Sequence, residues 1–81
     1  TMALHPQFLQ EVSLLLMFDP GNPQEGLKVH HEADPGKIEA AKRLHELGII
    51  TLSDGGYLTP RGQEAVEHAE ALVNMLQAMP H

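Results

Sequence analysis

The sequence predicts a mainly helical domain with one small β-hairpin, arranged as a winged helix-turn-helix. Three observations lead there. Four X-Pro pairs, His5-Pro6, Asn22-Pro23, Asp34-Pro35 and Thr59-Pro60, each have the form of a helix start. Pro suits the first helical position because its missing N–H would be unpaired there anyway, and Asn, Asp and Thr are good N-caps. Between the last two starts, Ile49-Ile50-Thr51-Leu52-Ser53 and Tyr57-Leu58-Thr59 read as strands around Asp54-Gly55-Gly56. The glycines there supply the positive φ that a hairpin turn requires. Finally, apolar residues recur at helical spacing in three of the four segments that follow a Pro.

The first helix is expected from about Pro6 to Phe18, with Phe8, Leu9, Val12, Leu15 and Leu16 as its buried stripe. Asp19-Pro20-Gly21 stops it. The second segment, Pro23 to His31, gives two signals. Asn22 and Glu25 have capping-box spacing, which predicts a short helix. Leu27, Val29, His31 and Ala33 alternate with Lys28, His30 and Glu32, which points to an extended end. The short helix is taken as the expectation. The third helix opens at Asp34-Pro35 and ends near Gly48, a good residue for the position after a helix. Ile38, Ala41, Leu44 and Leu47 face inward, with Ala40 beside them. The last helix spans about 60–79, with Ala65, Ala69, Leu72, Leu76 and Met79 spaced by four and three and Val66 and Val73 widening the stripe.

Helix, short helix, helix, hairpin wing, long helix is the winged-helix order, and residues 1–81 allow one domain. The turn of the helix-turn-helix falls at Glu32-Ala33-Asp34. The third helix is then the recognition helix and Asp54-Gly55-Gly56 the tip of the wing. The run Leu44-x-x-x-Gly48-Ile49-Ile50, followed by Asp54-Gly55-Gly56-Tyr57-Leu58-Thr59-x-x-Gly62, resembles the helix-to-wing junction of many bacterial winged-helix regulators. Nearly the whole chain also resembles a small family of short, uncharacterised bacterial proteins, some labelled DNA-binding. Gln24-Glu25-Gly26, Lys28-Val29-His30-His31, Ala33-Asp34-Pro35, Gly48-x-Ile50-Thr51, Asp54 to Thr59, Gly62, Glu64-Ala65 and Glu67-His68-Ala69 carry it. The resemblance implies a DNA-binding or regulatory winged-helix protein.

Charge argues against that implication. The 81 residues hold five Lys and Arg against eleven Asp and Glu, a formal charge of −6. A duplex binder neutralises phosphates with clustered cations. Here the candidates for double-stranded DNA are Lys37, Lys42, Arg43 and Arg61, with Arg43 as the base reader because a guanidinium pairs bidentately with guanine. Glu39 stands four before Arg43, Lys42 four before Glu46, and Lys28 four before Glu32, spacings that allow neutralisation along a helix. The rival expectation is a winged-helix module that contacts a protein partner, for which an acidic surface is no obstacle.

The absence of Cys excludes disulfides, thiolate zinc sites and thiol nucleophiles. Six His include His30-His31 beside Glu32 and Asp34, and His68 four after Glu64. No four converge as a structural zinc site demands, so neither a metal nor a cofactor is expected. No nucleophile motif or phosphate loop is present, so no enzyme activity is expected. No apolar run approaches the length of a membrane span, and the start lacks a basic leader, so a cytoplasmic protein is expected. A homodimer is expected through Leu14, Leu15, Met17 and Phe18 of the first helix with Leu72, Val73, Leu76 and Met79 of the last. Both stretches are apolar on nearly every side, and apolar patches mark interfaces.

Overall fold

The computed structural model describes residues 4–22 and 24–77. In chain order the elements are α1 (Pro6–Leu15), β1 (Leu27–Lys28), α2 (Pro35–Glu46), β2 (Ile50–Leu52), β3 (Gly55–Leu58) and α3 (Pro60–Gln77). The molecule is mainly helical with one small antiparallel sheet of order β1-β3-β2, compatible with a winged-helix-like arrangement. α1 packs along α2, while α2 meets β2 and α3 meets β3.

Three of the four X-Pro starts open helices. The fourth, Asn22-Pro23, does not. The Asn22 side-chain amide donates to the Glu25 carboxylate at 3.1 Å, and the Glu25 N–H donates to the Asn22 carbonyl at 3.0 Å. The capping-box spacing is satisfied by an isolated turn. The expected short helix is replaced by β1, whose Leu27 and Lys28 pair with Gly56 and Gly55. A Cβ at Gly55 would lie 2.1 Å from the Leu27 carbonyl oxygen, so the strands approach this closely only because β3 begins with glycine. A turn precedes α2, with the Ala33 N–H donating to the His30 carbonyl at 2.9 Å, but it follows β1 and not the expected second helix.

α2 ends in a Schellman motif. Gly48 has φ +76°; its N–H donates to the His45 carbonyl and that of Ile49 to the Leu44 carbonyl, each at 3.0 Å. The chain thereby turns into β2 with Ile50 buried. The hairpin turn is not Asp54-Gly55-Gly56 as expected: Gly55 and Gly56 are the first residues of β3, where they pair with β1. Leu52 faces Gly55 across a Ser53-Asp54 loop, and the register slips between Ile50 and Leu52 as a bulge.

Thr59 then joins three elements. Its hydroxyl donates to the Gly48 carbonyl and accepts the Gly62 N–H at 3.0 Å, the N-cap bond of α3. Its own N–H donates to the Ile49 carbonyl at 3.0 Å. Gly62 is buried, and a Cβ there would lie 2.1 Å from the Ile49 carbonyl oxygen.

The core is Leu14, Leu15, Phe18, Val29, Ala40, Ala41, Leu44, Ile50 and Val66. Leu14, Leu15 and Phe18, expected on a dimer face, are core residues of a single chain at 2%, 6% and 4% exposure. The helix ends at Leu15, and the following turn folds Phe18 under the body. Phe8 and Leu9, expected in the buried stripe, are about half exposed because the first turns of α1 lie beyond the core. Leu47, expected inward, is partly exposed at the C-cap of α2.

Candidate interaction surfaces

Of the four cations proposed for DNA, three border different hollows. Lys42 borders a groove of 250 Å³ between α2 and the β1–hairpin edge, floored by Ile38 and Ala41. Arg43, next along α2, lines a different hollow with His5, Phe8 and Glu11 at the start of α1. Lys37 lines a third, of 380 Å³, with Ser13, Met17 and Asp34 around Leu14. Arg61 lies across the C-terminal end of α2, its Cδ 4.0 Å from the place a Cβ would take at Gly48. One helix faces two neighbours here. α1 covers one flank and the sheet covers the other, and consecutive residues separate between them.

Ion pairing also differs from the expected pattern. Glu39 holds Lys42 at 3.6 Å, three residues on, rather than Arg43. Among the described residues Arg43, Lys37 and Arg61 have no carboxylate within 4.0 Å. Lys28 reaches Asp54 at 4.0 Å instead of Glu32. That contact follows from β1: alternation buries Val29, while Lys28 points out beside the hairpin tip. Among the described residues Lys28 therefore joins Lys42 in a groove, together with His30 and His31. The Leu27-Lys28-Val29 alternation was its signal. Both lysines stand next to a carboxylate and both pairs are more than half exposed, so each contributes little.

Two of the described histidines each stand beside a single carboxylate. His31 lies 3.8 Å from Glu32, and His68 lies 3.8 Å from Glu64 across one helical turn. No group of three or more His, Asp or Glu among the described residues is placed to hold a metal ion. At the turn before α2 it is the His30 backbone carbonyl, not an imidazole, that makes the hydrogen bond.

The second surface is the C-terminal half of α3. Gly62 and Val66 are buried and Ala65 and Ala69 pack against the core. Beyond them Leu72, Met75 and Leu76 are 59%, 71% and 56% exposed, and Val73 is half-buried. Met17 is half exposed at the end of α1. Met79 lies outside the described residues.

Sequence comparison places this fold in a family. A family model matches residues 2–77, nearly the whole chain. The chain belongs to DUF5669, a family of unknown function. No curated protein and no solved structure matches it. Membership accords with the uncharacterised family that the sequence resembles, and it assigns no activity. In this DUF5669 chain, no helix among the described residues is long and apolar enough to cross a membrane.

Proposed function

We propose that this protein works by protein–protein contact, as a small winged-helix-like module that does not read duplex DNA. The observation that carries the reading is the uncovered apolar end of α3, against cations that border separate hollows. An apolar surface exposed on a helix costs free energy until a partner covers it. A duplex of negative charge meets a chain of −6 and a wing without a single Lys or Arg from Ile49 through Pro60. No catalytic step belongs to this reading.

Duplex binding is the second reading, favoured by the element order and by Arg43, which no carboxylate holds among the described residues. The two readings separate in one titration. A labelled random-sequence duplex, followed by fluorescence anisotropy at two salt concentrations, gives no rise on the contact reading. Saturable binding that weakens with salt, and that Lys42→Ala with Arg43→Ala abolishes, would overturn it. On the duplex reading Glu39→Gln strengthens binding, because it releases Lys42.

A further inference from the structure

We infer that the apolar end of α3 is covered by the same segment of a second copy of this chain, crossing antiparallel about a two-fold axis. The inference rests on the protein-contact reading and adds the partner. Leu72, Met75 and Leu76 stand at i, i+3 and i+4, so they share one helix face. That face begins where the packing of α3 onto its own core stops, after Ala69. Two helical turns with little tertiary support are marginal in water. They need a cover.

Charge selects the cover. Ala71 through Gln77 contain no charged side chain. A foreign partner is ordinarily chosen by charges around the apolar centre, and this segment offers none to read. An uncharged apolar face is complementary to a copy of itself and meets no like-charge penalty there. Its two polar residues, Asn74 and Gln77, are amides. Each amide both donates and accepts hydrogen bonds, so it can pair with its own kind across a two-fold axis.

Charge also selects the direction. Glu64, Glu67 and Glu70 all precede the segment. Parallel helices would set each glutamate beside its counterpart. An antiparallel crossing centred on Leu72–Leu76 sends the glutamates of one copy to one end of the contact and those of the other copy to the opposite end.

Sedimentation velocity of the full chain over the micromolar range tests the partner. The wild type is expected to rise with concentration from 8.9 kDa toward twice that mass. Leu72→Ser with Leu76→Ser should weaken the association by about tenfold or more. The thermal melt of the dilute protein should stay the same, because both side chains are exposed in one chain. Direction is tested by disulfide trapping, since the chain has no Cys of its own. In an equimolar mixture of Leu72→Cys and Leu76→Cys proteins, antiparallel crossing predicts the mixed 72–76 disulfide as the main product. Predominant 72–72 and 76–76 products would overturn the direction. A wild type that stays at 8.9 kDa throughout would overturn the second copy as partner. Duplex binding in the anisotropy titration would instead overturn the contact reading on which the inference rests.

Discussion

Gly62→Ala separates the tertiary account of α3 from helix propensity, because the two predict opposite signs. In an exposed helix the change from Gly to Ala stabilises by about 0.8–1 kcal/mol. Gly62 is not exposed: a Cβ there would stand 2.1 Å from the Ile49 carbonyl oxygen and 3.1 Å from Leu58 Cδ2. Restoring ordinary van der Waals separation would require the first turn of α3 to back away by about 1 Å. The bonds across that junction are already 3.0 Å long: Gly62 N–H to the Thr59 hydroxyl and Thr59 N–H to the Ile49 carbonyl. A displacement of that size breaks or strains the two, at about 1 kcal/mol each, with strain of about 1 kcal/mol more. Against the gain in propensity, the net loss is about 1–2 kcal/mol. Urea unfolding followed by circular dichroism at 222 nm checks it, with the midpoint expected to fall by about 1 M at the slope typical of a small domain. A midpoint that rises, as for a solvent-facing helical glycine, would refute the close approach of α3 to the Ile49 carbonyl and to β3.

The remaining predictions test other junctions. Gly55→Val should lower the melting temperature strongly, because φ is +128° and the new Cβ would meet the Leu27 carbonyl; an unchanged melt would remove the glycine-dependent pairing of β1 with β3. Thr59→Val should cost about 1–2 kcal/mol in the same urea assay through the lost N-cap and the lost bond to the Gly48 carbonyl. Leu14→Ala should cost about 2–5 kcal/mol, as for a core leucine, whereas Leu72→Ala measured in dilute protein should change stability by less than about 0.5 kcal/mol. Equal effects of the two would contradict the division between core and contact face. Glu39→Gln should shift stability by no more than about 0.5 kcal/mol, since the pair with Lys42 is more than half exposed.

The sequence states some of this fold plainly and hides the rest for physical reasons. Gly48 and Thr59-Pro60 act locally, through φ and capping, so the boundaries around them are legible before any packing is known; Gly55 and Gly56 signal a hairpin, but they open β3 instead of forming its turn, because β1 lies against them. Asn22 and Glu25 show the limit. The same pair of side chains serves a capping box or a lone turn, and what decides is whether β3 offers a glycine edge to the next residues. That is a tertiary fact, distant in sequence. The alternation through Leu27 and Val29 carried the correct signal, and the capping spacing outweighed it. Leu14 to Phe18 failed differently. Apolar on every side, the stretch suits an interface or a small core equally, and only the close seating made by Ala40 and Ala41 on α2 commits it to the core. Sequence showed which cations lie on α2, but not that α1 and the sheet would part Arg43 from Lys42. The apolar end of α3 was legible because nothing in 71–77 is charged.

Hydrogen–deuterium exchange tests the central claim most directly, because it reads the two candidate surfaces in one measurement. Peptides covering 71–77 and 35–46 would be followed at low and high protein concentration, and again with excess duplex. The account predicts that exchange in 71–77 slows as concentration rises, as a covered helix end requires. It predicts that 35–46 exchanges alike in all conditions. Exchange in 71–77 that ignores concentration, together with protection of 35–46 by the duplex, would contradict it.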